Sequence, residues 1–355
     1  MVEVPRDPGL RAVLAMLAPG THLREGIERV IRADRGTLIV IGWTPQIEPL
    51  VSGGFVIDIA ATSQRVAELA KMDGALVLDA DARRILRANV HLVPDPSIPT
   101  SETGTRHRSA ERTARQTGQP VIAVSESMGM VNLYFGGTKH VLEEVSALLV
   151  RANQALSTLE RYRSRLDEVT ALLSAREVED AVTVRDAVLA LQRAEMLRRI
   201  AAEVEAHVIE LGNEGRLIQL QLDELVGSVA DERELVVRDY LRDRRRKLGR
   251  VLEELSELGS EALLDAELVA QLLAFTDEEL DKHVTPRGYR LLSRIPRLPA
   301  TVVERLVERF HTLPRVMEAT IAELDQVEGV GGSRARAIQD GLRRLSEPTL
   351  QERMG

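Results

Sequence analysis

Arg106, His107 and Arg108 are three adjacent side chains that carry or can take positive charge, in a chain of 355 residues with a formal net charge of −8. They lie in the stretch "SETGTRHRSAERTARQTG", directly behind Thr103-Gly104-Thr105. Arginine offers a planar fork of donors that matches phosphate oxygens, and a hydroxyl at a helix start, here Thr105 or Ser109, adds another donor. Capture of a phosphate-rich anion is the chemistry such a group can do. A plain surface loop is the alternative, with its cations satisfied by Glu102 and Glu111. A second pair, Asp73-Gly74, opens the apolar run "GALVLD" and by itself reads as a turn.

A third group lies far along the chain, in "LDQVEGVGGSRARAIQDGL". Leu324 and Val327 are expected to end one helix with its apolar face inward, and Ser333 to cap the next, whose Ala335 and Ile338 face back. Between them Gly329, Gly331 and Gly332 make a tight turn. Gly331 and Gly332 let backbone N–H groups approach an anion beside a positive helix end, with Arg334 and Arg336 next to it. This resembles the helix-hairpin-helix motif, which grips phosphates without reading bases. A mere glycine-capped helical turn is the alternative. The upstream "SRIPRLPATVVERLVERF" looks like a degenerate first copy, with Ile295-Pro296-Arg297-Leu298-Pro299 in place of the glycines.

Composition narrows the classes. The acidic total gives no support for nucleic-acid binding by the whole chain, yet residues 286–355 hold 12 Lys/Arg against 9 Asp/Glu. The chain has no cysteine, which rules out disulfides and thiolate metal sites. Its histidines lack zinc spacing, "GGTKH" lacks the spacing of a phosphate loop, and no dinucleotide fingerprint follows a strand. No apolar run is long enough for a membrane helix, and the N-terminal stretch does not read as a signal peptide. A cytoplasmic protein without a membrane partner is expected.

The elements that must position these groups follow from the apolar pattern. Residues 36–42, 74–79, 89–94, 119–127 and 130–137 are short apolar runs bounded by turn formers, and 62–72 is helical between two of them. They predict a mixed α/β domain over 1–145 with one sheet. After about Lys139 strand signals stop. Residues 146–285 predict a helical spine, including a helix begun at Thr183 and stopped at Gly212-Asn213. The basic cluster 242–250 reads as a solvated helix face with glutamate partners, or as a nucleic-acid contact. Short helices broken by Pro and Gly make 286–355 a third domain.

Together, "DGA" and "TGTRHRSAER", some thirty residues apart on consecutive strand-loop elements, closely resemble the motif pair of the diadenylate cyclase domain. With the C-terminal hairpin, the whole chain resembles the DNA integrity scanning family of bacterial cyclic di-AMP synthases. The resemblance implies an ATP-binding nucleotidyltransferase that makes cyclic di-AMP with Mg²⁺ or Mn²⁺. It implies catalytic Asp73 and Arg108, Asp73 holding the metal, and nucleotide contacts from Gly74, Ala75, Leu92, Thr105, Arg106, His107, Arg108, Ser109 and, more weakly, Ser125. The family often has threonine where this chain has Ser109, and the hydroxyl survives. The resemblance also implies octamers and restraint of synthesis by branched DNA such as a recombination intermediate, bound without regard to sequence at the nucleoid. A DNA-junction scaffold with a degenerate nucleotide site is the main rival. A nuclease or ligase component would need clustered carboxylates or a nucleophilic lysine, and neither is found.

Overall fold

The computed structural model describes residues 8–126, 129–227, 229–243 and 245–351. Ser127, at the end of the fourth expected strand, and Arg244, in the basic cluster, lie outside the described residues. The N-terminal elements are α1 (Pro8–Met16), α2 (His22–Arg32), β1 (Thr37–Ile41), β2 (Val51–Ser52), β3 (Phe55–Ala60), α3 (Ser63–Leu69), β4 (Ala75–Leu78), β5 (Arg84–Leu92), α4 (Thr105–Thr117), β6 (Val121–Val124), β7 (Val131–Phe135) and β8 (Thr138–Leu142). The sheet order is β2-β5-β4-β1-β6-β7-β8, with β3 also paired to β5. Only β1 and β4 run parallel among the pairs formed by β1, and β6 returns antiparallel with Thr37 opposite Val124.

Both faces of this sheet are covered, which is why β1, β4 and β6 read as unbroken apolar runs. Ile39, Ile41, Leu76 and Ile122 pack with Leu14, Ile27 and Val66 from α1, α2 and α3. Leu38, Val40, Val77 and Val121 pack on the other side with Ala110 and Ala114 of α4. The two alanines let α4 lie close against the strands. Gly118, with φ of 71°, ends this helix in the left-handed conformation that glycine tolerates best.

The first expected strands are present, with differences at the edges. β5 begins at Arg84, five residues before the expected run; it is paired on both sides, to β4 and to β2 and β3, and Arg84, Arg87 and Asn89 interrupt its apolar pattern. β2, β3 and β8 were not expected. β3 alternates weakly and is interrupted at Asp58, whose φ is 41° and where the pairing with β5 shifts register. β8 pairs only with β7, so its mostly polar sequence suffices.

The remainder is helical: α5 (Val145–Val178), α6 (Val184–Leu211), α7 (Arg216–Val226), α8 (Val229–Tyr240), α9 (Leu248–Glu257), α10 (Ser260–Leu264), α11 (Ala266–Leu272), α12 (Tyr289–Ser293), α13 (Ala300–Phe310), α14 (Leu313–Glu318), α15 (Ile321–Asp325) and α16 (Gly332–Gln351). By packing, one compact unit comprises the described residues to Leu156 with Ala202–Leu222, and the other comprises Ser157–Ala201 with the described residues from Asp223. No helix among the described residues is long and apolar enough to cross a membrane.

The second unit contains a buried ionic cluster. Arg290 of α12 is fully buried and donates to both Glu177 carboxylate oxygens, to Glu232, to Ser174 and to the Thr170 carbonyl. Asp239 of α8 accepts backbone N–H bonds from Gly288, Tyr289 and Arg290, so it caps α12. Burial and the Glu177 charge push its carboxyl up to about 7 against the pull of those donors. Glu195 of α6 is likewise buried and meets Arg198, Arg199 and Arg233. In the basic cluster, Arg242 pairs with Glu279 while Arg246 and Arg250 pair with Glu254; the glutamate partners are as expected, but the cluster to Lys247 lies between α8 and α9 rather than on a helix face.

Candidate functional site

One end of the N-terminal sheet collects the predicted residues. β1 and β4 begin there, and β6 ends there, because β1 is parallel to β4 and antiparallel to β6. Asp73 and Gly74 precede β4, Ser125 follows β6, and Leu92 ends β5. The first turn of α4 supplies the cations. Gly104 is its N-cap, so Thr105 to Arg108 form the first turn and Ser109 begins the second. The placing of this motif on a strand-loop element is therefore corrected: Thr105 to Ser109 belong to the helix, which brings first-turn N–H groups beside the arginines.

Charge pairing separates two readings of the arginines. Glu102 binds Lys139 at 2.7 Å, and that bond, against burial, holds its carboxyl below the usual range. Glu111 binds Arg115 at 2.6 Å and the Thr100 hydroxyl at 2.5 Å. Neither reaches Arg106 or Arg108. Arg106 instead stands 3.3 Å from both Asp73 and Glu126, with its own side chain 34% exposed and that of Asp73 97% exposed. Among the described residues no carboxylate pairs with Arg108, which is exposed. The local glutamates are engaged elsewhere, and the cationic edge of α4 is left open.

Other predicted residues have different positions from those expected. The ring of His107 turns inward: its Nδ1 lies 3.0 Å from the Tyr134 hydroxyl and 3.1 Å from Asn132 Nδ2. Burial lowers its basicity despite the nearby Glu102 charge. Ala75 is buried in the core under α4 and presents no side chain to a ligand. Gly74 has a structural duty, since a Cβ there would come within 2.4–2.7 Å of the Asn89 and Val90 backbone. Asn89 itself sits at φ 55°, where β5 bulges. Leu92 is half-buried against that same core, and the Ser125 N–H closes the turn after β6 on the Met130 carbonyl.

Glu126 and Gly36 were missed. Glu126 follows Ser125 in "VSES", and a carboxylate just past a strand end was its only sign. Gly36 begins β1's apolar run, and a Cβ there would lie 2.5 Å from Arg106 Nη1. Glycine at this position gives the Arg106 guanidinium room to cross the sheet end.

The C-terminal hairpin forms as expected in its core, with Leu324, Val327, Val330, Ala335 and Ile338 buried together. Two details differ. Ser333 lies inside α16 and is exposed, while the Gly331 carbonyl accepts the first N–H bonds from Arg334 and Ala335. Arg334 folds back to donate to the Gly329 carbonyl, and both Arg334 and Arg336 are exposed. The upstream copy repeats the backbone: Arg297, three residues before α13, has φ 63°, and Gly329, three before α16, has φ 84°.

A family model described as DisA bacterial checkpoint controller nucleotide-binding matches residues 24–139. Another, described as DisA bacterial checkpoint controller linker region, matches 142–281. The curated DNA integrity scanning protein DisA of Acidothermus cellulolyticus is 56% identical over 98% of this chain and 96% of its own. The chain belongs to the DisA family. Proteins of the same description from Kineococcus radiotolerans and Parafrankia sp. are 55% and 52% identical, over 98% and 99% of this chain and 98% and 99% of theirs. The DisA nucleotide-binding match runs from α2 into the start of β8, and so contains α4 with Asp73, Arg106, Arg108 and Glu126.

Proposed function

We propose that the chain is a diadenylate cyclase that joins two ATP molecules into cyclic di-AMP with release of two pyrophosphates, and that branched DNA held by the C-terminal hairpins controls it. In this reading residues 1–145 are the cyclase part, 146–285 the linker and 286–355 the helix-hairpin-helix part. The observation that carries it is the open cationic edge of α4: Arg108 has no carboxylate partner among the described residues, and Arg106 has two ion pairs of 3.3 Å that a triphosphate can replace.

Each 3′-hydroxyl attacks the α-phosphorus of the other nucleotide, a P–O bond forms, and the bond to pyrophosphate breaks. The protein's task is positioning and neutralisation of charge. Arg106 and Arg108 hold phosphate oxygens, Arg108 most directly because no carboxylate among the described residues pairs with it. Thr105 and Ser109 add hydroxyls beside the positive end of α4. Leu92 flanks the base, and Gly74, Ala75 and Ser125 bring backbone close to the nucleotide. Asp73 helps activate the 3′-hydroxyl and holds the metal. Its carboxylate is almost fully accessible, and no three His, Asp or Glu side chains converge to bind a metal among the described residues. That fits Mg²⁺ or Mn²⁺, which takes one or two carboxylates and completes its shell with substrate phosphates. When bound, the ion neutralises phosphate charge.

One chain supplies one such site and the product is symmetric. Two chains must meet site to site, an isolated chain is inactive, and an octamer satisfies this four times. At the far end, a Cβ on Gly331 would meet no protein atom within 4 Å, so the fold itself does not demand glycine there. Close approach of a DNA phosphate does. Incubating the purified protein with ATP and Mg²⁺ or Mn²⁺, with and without branched DNA, tests both halves. Cyclic di-AMP that falls when the DNA is added is expected. No product sinks the cyclase reading and leaves the scaffold; product indifferent to DNA sinks the control.

A further inference from the structure

Asn132 and Tyr134 are polar residues in a place the fold would fill more cheaply with aliphatic ones. They alternate on β7, and both are 2% exposed. The Asn132 side-chain oxygen has no hydrogen-bond partner among the described residues. A buried unpaired polar atom costs about 1–3 kcal/mol. Both side chains converge on one atom, His107 Nδ1, at 3.1 and 3.0 Å, and the Tyr134 ring meets the imidazole edge to face at 6.4 Å. Behind Tyr134 stands the Glu102–Lys139 pair, with Lys139 opposite Tyr134 in the β7–β8 register.

We propose that Tyr134 and Asn132, backed by Glu102 and Lys139, are positioning residues that fix the His107 ring so that Nε2 alone meets the triphosphate. The inference rests on the cyclase reading. His107 is the third residue of α4, between the two arginines that supply charge. With Nδ1 occupied inside the protein, one nitrogen of set direction remains for the ligand. The ring then contributes orientation where its neighbours contribute charge. The groups facing it are Glu102, which favours its protonation, and Lys139 and Arg106, which oppose it; burial opposes it most.

Tyr134→Phe keeps the ring in the core and removes only the hydroxyl. In cyclase assays of the full-length protein, kcat is expected to fall about 10- to 100-fold with KM for ATP changed little. The acid limb of the pH profile should move to higher pH, because Glu102 loses the phenol that partly neutralises it. Glu102→Gln removes the anion and should move the limb to lower pH. Wild-type kcat, KM and pH profile in Tyr134→Phe would overturn the proposal. So would a loss that merely follows a lowered melting temperature with the acid limb unmoved. A wild type that makes no product overturns the parent reading with it, whereas an active wild type matched by Tyr134→Phe overturns the positioning role alone.

Discussion

Arg290 and Arg106 make opposite use of the same side chain. Arg290 is fully buried and its guanidinium is saturated by Glu177, Glu232, Ser174 and a carbonyl. Arg106 is a third exposed, and its two carboxylate partners stand at 3.3 Å. A charge taken out of water must be paired on every side or the fold fails, so Arg290 has no capacity left for a ligand. A charge at the surface can keep long, exchangeable pairs that stabilise little. The difference separates arginines that build this molecule from arginines that are available to act for it.

The sharpest way to break that contrast is Arg290→Ala. It leaves Glu177 buried without its cation and Glu232 with only its longer pair to Arg294, and a loss of about 3–5 kcal/mol is expected in denaturant unfolding. A change near zero would mean the cluster is not fixed as described. Arg108→Ala should do the reverse: the melting temperature stays, while kcat/KM for ATP falls about 100-fold. Between these extremes lies Gly74→Ala, which pushes a methyl into the Asn89–Val90 backbone. It should cost about 1–3 kcal/mol in stability and lower activity with it, sharpening the distinction between a motif glycine that packs and one that binds.

The smallest effect concerns a half-buried charge that does serve the fold. Backbone and side-chain bonds from Thr276, outweighing burial, pull the Glu279 carboxyl down to about 2. Its contribution is therefore present above the unfolded value of about 4.3 and is lost as pH falls toward 2. The wild type should melt above Glu279→Gln at pH 6, and the gap should close by about pH 2.

Much of this was legible in the sequence, and the misses have physical reasons. β1, β4 and β6 are covered on both faces and announce themselves by unbroken apolar runs, and β7 is a largely apolar run interrupted by Asn132. β3 and β8 are edges, where one-sided pairing tolerates polar residues and the apolar signal fades. The arginines stood out by residue type, and Asp73 only through the resemblance that its motif and theirs carry together. Glu126, Gly36, Asn132 and Tyr134 did not, because only the pairing of distant strands brings them to α4. His107 read as a cation because its neighbours are cations, yet its environment is set by β7. Arg334 read as a free contact because a linear motif cannot say that a side chain will fold back onto its own turn.

The central claim is that the exposed cluster at the head of α4 exists for a nucleotide and not for the fold. Asp73→Asn tests it most directly, compared with the wild type for cyclic di-AMP formation from ATP and Mg²⁺ or Mn²⁺ and for thermal melting of the same samples. The account predicts product from the wild type, loss of about 100-fold or more in the variant, and superimposable melts. Undiminished synthesis by Asp73→Asn, or a variant that fails only because it unfolds, would contradict it.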